Sequence, residues 1–364
     1  MGSTFSKRYP VYLALYLLWL LVFYTLTSGG DADNWLLSLR RWDSNWYMTI
    51  MESGYTLHDH KALAFPPGYP WLLLALSRIL PFEPWVIASI VNVPAYFFAL
   101  VMAVELLSRI LHIRSRYAFF TLLLSTPTAY FAFSVYTDMV FMCMFWGVLT
   151  LALLHPKSKA SLIAQAALLL VMPWIRIAGY SLFSWLLLKR WVALVLIIPA
   201  TAWLGFNYYI AGDPIFFIKA QSLFLMPEGG AWTGVNRAFT QIINIPSSSN
   251  PQEWRHYIQN SFLPVFYLLT LTASAIWFWI RGEKQIALTI LSVLAISHYA
   301  PIWRSVVRYD MPLLPFLFAP LLVMAERRTG NLQISALVMG ALGGIQFASQ
   351  IFFTCMFRND IWGF

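Results

Sequence analysis

The amino-acid sequence predicts an all-α polytopic membrane protein with about eleven transmembrane helices, and three observations carry that expectation. Sixty per cent of its 364 residues are apolar and 11% are charged, whereas soluble domains carry roughly 25% charged residues. Apolar runs such as 10–28, 84–111 and 160–188 reach the roughly 20 residues a helix needs to cross the hydrocarbon core. These runs lack the two-residue alternation of a membrane barrel, and backbone groups in lipid must pair within their own segment, so helices are the consistent solution.

The first run follows Lys7 and Arg8 and is followed by no clear small-residue cleavage site, so it reads as a retained span. MGSTFS matches a loose acylation pattern at Gly2 and Ser6, but an acyl chain beside a spanning helix has nothing left to anchor. Residues 1–364 read as one membrane domain. Cys143 and Cys355 sit inside apolar runs and suggest neither a metal site nor a disulfide framework.

Alternating the spans from a cytoplasmic Lys7 and Arg8 tests the topology. Arg109, Arg114, Arg116, Lys157, Lys159, Lys189, Arg190, Arg281, Lys284, Arg327 and Arg328 then share the cytoplasmic side. These thirteen of the 24 basic residues are accompanied there by Glu105, Glu283 and Glu326 alone, as the positive-inside rule requires. The net charge of +9 is therefore topogenic and, being spread over short loops, is no nucleic-acid footprint. The two long connections, about 29–83 and 212–260, fall outside. Inner connections are too short for a nucleotide-binding domain, and there is no Gly-rich phosphate loop.

The first outer loop contains RRWDSNWYMTIMESGYTLHDHKALAFPPGYPWLLLALSRILP, residues 40–81. Residues 42–51 fit a helix lying in the membrane interface, with Trp42 and Trp46 one turn apart and Asp43 beside Trp46 and Tyr47. Pro66, Pro67 and Pro70 break the chain, and residues 71–80 form a second apolar stretch too short to cross.

This loop resembles the first lumenal loop of the PIG-V type mannosyltransferases, whose pattern runs WD, Y, GY and FFPxYP; here it reads WDSNWY, ESGY and FPPGYP. STPTAYFAFSVYTD at 125–138, WIRIAGY at 174–180 and GDPIFFIKAQ at 212–221 follow in the family's order. Two positions depart from it: Asp138 stands where the family shows Glu, and Ile177-Ala178 where an Asn commonly precedes the Gly. The resemblance implies the GT-C fold and transfer of a sugar, mannose foremost, from a polyprenyl-phosphate donor to a lipid or glycan acceptor outside the cytoplasm. The residue pattern is compatible with it: such a donor needs no nucleotide site, its phosphate needs cations at the outer interface, and the acceptor hydroxyl needs a base.

Asp43 stands where the family carries its essential acid, and a positioned carboxylate takes the proton that an attacking acceptor hydroxyl loses. One carboxylate suffices for an inverting transfer. Helix capping is the competing reading for Asp43, as it is for Asp138 at the start of the next span; the family pattern implies that Asp138 positions acceptor or sugar. Arg176 would cost about 2.5–3.5 kcal/mol at a span centre, so the block around it reads as two spans meeting outside. Arg304 and Arg308 lie one turn apart, which suits bidentate phosphate binding; pairing with Asp310 or lipid headgroups is the alternative. With Trp42, Tyr47 and Tyr69 these arginines make up the expected substrate-binding set.

His58, Asp59 and His60 could be drawn as metal ligands but read better as a solvated loop, and no required metal or other cofactor is expected. Trp232 and Trp254 fit an aromatic belt. A transporter or flippase of a lipid-linked saccharide is the alternative function; the absence of an internal repeat argues against it. A non-catalytic, prenyl-lipid-binding subunit is the third. The expected location is a bacterial inner membrane with the site facing the periplasm or exterior, Gly363-Phe364 offering no retention signal.

Overall fold

The computed structural model describes residues 8–29, 32–55, 60–223, 236, 239–247, 253–254, 257–299, 306–329 and 332–359. Among them every regular element is helical. Five helices are long and apolar enough to cross a membrane: Tyr9–Ser28, Pro84–Leu111, Trp191–Ala211, Asn260–Ile280 and Met339–Arg358. Five further apolar helices among the described residues have 10–17 residues.

The chain forms two compact units, each discontinuous in sequence: Met1–Met48, Pro70–Ser161 and Phe318–Gly363 make the first, and Thr49–Tyr69, Leu162–Leu317 and Phe364 the second. In the first, helix α1 (Tyr9–Ser28) opens with Pro10, whose missing N–H costs nothing there, and ends at Gly29 in the left-handed conformation. Helices α2 (Ala32–Ser38) and α3 (Asp43–Ser53) follow. Helix α4 (Gly68–Ser77) begins before Pro70, ahead of the expected start at 71, because proline is tolerated in a first turn.

Helix α5 (Pro84–Leu111) has 28 residues and so runs about 42 Å, more than the hydrocarbon thickness. It packs against α7 (Asp138–Leu154). Between them lie α6 (Arg116–Leu124) and a 3₁₀ turn, Ala129–Phe133. Phe133 stacks on Phe23 at 5.4 Å and meets Trp35 at 4.9 Å, which docks α2 beside α1. Trp19 of α1 donates to Gln350 of the last helix, the two atoms 3.2 Å apart and both side chains buried. Such a polar pair in apolar surroundings fixes the register of one helix on another.

The second unit begins its helical part with α8 (Lys159–Ile175), most of which belongs to it. The helix breaks at Arg176, whose backbone is extended, and resumes as 3₁₀ helix over Ile177–Leu188. At about 2.0 Å per residue those twelve residues reach about 24 Å, several ångströms further than an α-helix of equal length. The break falls where the cost of a mid-span arginine predicted it. A 3₁₀ turn, Trp191–Leu196, runs into α9 (Ile197–Ala211), and α10 is Phe216–Ser222. Helix α11 (Leu263–Ile280) turns through Gly282, at φ +85°, into α12 (Lys284–Tyr299). Trp185 donates to Thr289 at 2.8 Å, tying the 3₁₀ segment to α12. Short α13 (Val306–Tyr309) leads to α14 (Leu314–Thr329), and α15 (Leu332–Arg358) closes the first unit.

Candidate functional site

In the first unit the WD motif forms a turn. Trp42 is in the left-handed region at φ +53°, rare for a bulky side chain, and is 38% exposed. Ser44 N–H donates to Arg41 O at 3.0 Å and Asn45 N–H to Trp42 O at 3.1 Å, closing the first turn of α3. The helix therefore starts at Asp43, and Trp42 stands just outside it instead of one turn below Trp46. Asp43 is half-buried at the first position of the helix and is the acidic residue of its first turn. Tyr47 is buried on the inner face.

Arg40 and Arg41, three and two residues before Asp43, line a cavity of about 390 Å³ with Asn34, Leu37 and Ser38. Arg41 Nη2 donates to Arg358 O at 3.1 Å, and Arg358 Nε to Ser38 Oγ at 2.8 Å, so the last helix braces this turn. Arg40 stands over the Trp85 ring at 5.8 Å. Sequence reasoning gave these two arginines no role. The signal was present: two adjacent cations stand within three residues of the candidate base.

Asp138 is the first residue of α7 and is 2% exposed. The buried chain leading to it from the end of α6 is held by one face of α5. Ser89 Oγ donates to Phe133 O at 3.1 Å, Asn92 Nδ2 to Ser134 O at 2.9 Å and to Tyr136 O at 3.0 Å, and Tyr96 Oη to Leu123 O at 2.9 Å. Side chains three and four residues apart share a helix face, so polar Ser89, Asn92 and Tyr96 within an apolar span were a legible and missed signal. Tyr136 Oη donates to Arg41 O at 3.1 Å, and the Tyr47 and Thr137 hydroxyls are 3.5 Å apart. The WD turn and the N-terminus of α7 are thus tied together within this unit.

The second unit holds the remaining candidates. Tyr69 is fully buried. Beside it, a Cβ on Gly68 would stand 2.7 Å from Trp174 O, so glycine alone lets the FPPGYP motif press on the WIRIAGY motif. Arg176 is buried with its guanidinium 4.6 Å from the Tyr309 ring centroid, and that of Arg308, also buried, lies 5.1 Å from the same centroid. Asp310 is wholly buried; its Oδ1 accepts from Ser297 at 2.7 Å and its Oδ2 lies 3.8 Å from His298 Nε2. Burial pushes the Asp310 carboxyl up to about 8, while the Ser297 hydroxyl and the Arg176 charge act in the opposite sense. Two buried cations therefore share one tyrosine ring next in sequence to a buried acid.

Arg304, His58, Asp59 and Trp232 lie outside the described residues. His60 meets the Phe216 ring at 5.2 Å, and Trp254 meets Tyr257 at 6.1 Å. Among the described residues no group of three His, Cys, Asp or Glu is placed to hold a metal ion. No protein-family model matches the chain, and no curated protein does.

Proposed function

We propose that this chain is a membrane glycosyltransferase of the GT-C class, related to the PIG-V type mannosyltransferases. It moves a hexose, mannose foremost, from a polyprenyl-phosphate donor to a lipid or glycan acceptor on the extracytoplasmic face. The observation that carries the reading is Asp43: a half-buried carboxylate at a helix start, two residues from an arginine-lined cavity and tied through Arg41 to the chain segment that delivers Asp138. The order of the WD, FPPGYP, YTD and WIRIAGY motifs supports the same reading.

In this mechanism Asp43 accepts the proton of the acceptor hydroxyl as the acceptor oxygen bonds to the anomeric carbon. The bond from that carbon to the phosphate oxygen breaks, and its electron pair leaves with polyprenyl phosphate. Guanidinium groups hold the departing charge. Arg40 and Arg41 are nearest to Asp43 in sequence, and Arg176, Arg304 and Arg308 are the cations expected from the sequence to bind the phosphate. Asp138, with Trp42, Tyr47 and Tyr69, orients sugar and acceptor. The phosphate is part of the donor, so substrate recognition requires no resident cofactor. The expected setting is a multi-pass protein of a bacterial inner membrane with Asp43 at the outer surface.

The test is donor turnover by purified full-length protein with a polyprenyl-phosphate mannose, run beside Asp43→Asn. A positioned base contributes about 10²–10⁴-fold, so the variant should lose at least a hundredfold in kcat. Turnover equal to wild type removes Asp43 from the mechanism.

A further inference from the structure

A second cavity, of about 520 Å³, opens in the first unit and is lined by Arg8, Ser108, Arg109, His112, Ile113, Arg114 and Arg116. We propose that it binds the phosphate of an anionic lipid headgroup. Its volume falls in the range of small-molecule sites, roughly 300–1,000 Å³. Its position decides the kind of ligand. Arg8 directly precedes α1, and Arg109 lies in the last turn of α5, so the cavity sits at the ends of two helices long enough to cross a bilayer, the level at which headgroups lie.

The charge count favours an anion. Glu105 Oε2 lies 2.8 Å from Arg116, 3.5 Å from Arg8 and 3.9 Å from Arg109, so one carboxylate is shared among three guanidinium groups. Glu326 adjoins as well, but its oxygens accept from Arg114 N–H and from Ser115 N–H and Oγ. Four cations thus face two carboxylates. The carbonyl end of α5 opposes an anion with only about half a charge, too little to reverse a surplus of two.

The cavity wall also carries a buried polar atom that needs a partner. Ser108 is 1% exposed, and its hydroxyl has no hydrogen-bond partner among the described residues. A phosphate oxygen in the cavity would accept from it, beside the guanidinium forks that suit phosphate geometry. His112 ends α5 in the left-handed conformation at φ +58° and turns the chain so that His112, Ile113, Arg114 and Arg116 wall the cavity. This site involves none of the residues assigned to sugar transfer.

The experiment measures binding of short-chain phosphatidylglycerol, phosphatidylcholine and inorganic phosphate to the full-length protein in neutral detergent by thermophoresis. Arg109→Ala/Arg114→Ala and Arg109→Lys/Arg114→Lys are run in parallel; both side chains are exposed, so neither pair should unfold the protein. Saturable phosphatidylglycerol binding that weakens at least tenfold in the Ala pair and is largely kept in the Lys pair, with no saturable phosphatidylcholine binding, supports the site. Equal affinity of the Ala pair and wild type overturns it. Inorganic phosphate bound as tightly as phosphatidylglycerol overturns the lipid as its source.

Discussion

Asn92 offers the sharpest test of how the fold delivers Asp138. Its side chain is fully buried, and its one amide nitrogen donates to two backbone carbonyls, Ser134 at 2.9 Å and Tyr136 at 3.0 Å. Asn92→Leu keeps the volume nearly constant and removes both donors, so the cost comes from the two carbonyls left behind. An average hydrogen bond between membrane helices is worth about 0.6 kcal/mol, which would give about 1.2 kcal/mol for two. That average applies where the freed groups find other partners. Here the carbonyls lie in a buried, non-helical chain, where an orphaned acceptor costs about 1–3 kcal/mol, and the expected destabilisation is roughly 2–6 kcal/mol. Unfolding of the variant in mixed micelles with increasing denaturing detergent measures it. Turnover at a temperature where the variant stays folded should also fall, because Asp138 begins only two residues after Tyr136. A destabilisation under about 1 kcal/mol together with wild-type turnover refutes the argument, since α5 would then not be holding the segment.

Two further outcomes follow from buried charge. Glu105→Gln removes the carboxylate that gathers Tyr12, Arg116, Arg8 and Arg109, and because the arginines left behind are 21–42% exposed, solvent offsets part of the loss and the expected cost is about 1–3 kcal/mol; unfolding in the same micelles should show it, and an unchanged midpoint would contradict the pairing. For Asp310, the folded carboxyl lies near 8 against an ordinary value near 3.8, so its contribution is fully present below about pH 4 and is lost as pH rises through 8. Thermal stability should therefore decline across that window and decline less in Asp310→Asn; parallel pH profiles of the two proteins would rule this out.

The helical class, the boundaries of α1 and α5 and the break at Arg176 were legible because each rests on a local rule: apolar length, proline at a helix start, the cost of a mid-span cation. Helix α3 was found in place, but Trp42 was misassigned to it, since the backbone sign that excludes Trp42 comes from the turn at 39–42 and leaves no trace in apolar periodicity. The polar face of Ser89, Asn92 and Tyr96 has the right spacing in the sequence. Its purpose depends on carbonyls 27 to 44 residues away, which no local window contains. The same holds for Tyr309, whose ring is shared by Arg176 and Arg308 although 133 positions separate it from the first of them. Arg40 and Arg41 carry no local signature beyond their nearness to Asp43, and only the cavity they line gives them a common space.

The pairing of Trp19 with Gln350, and of Ser38 with Arg358, bears on how this protein is made. Helices inserted into the bilayer in order of synthesis would leave α1, α2 and the WD turn without these braces until more than three hundred further residues had been translated. Over that interval the buried tryptophan and the arginine-rich turn depend on lipid or on a holding factor for their polar partners. Long sequence separation of this kind slows assembly. A ribosome stalled before α15 would leave the turn that carries Asp43 held by Tyr136 but not by Arg358, so its bracing is complete only when the final helix arrives.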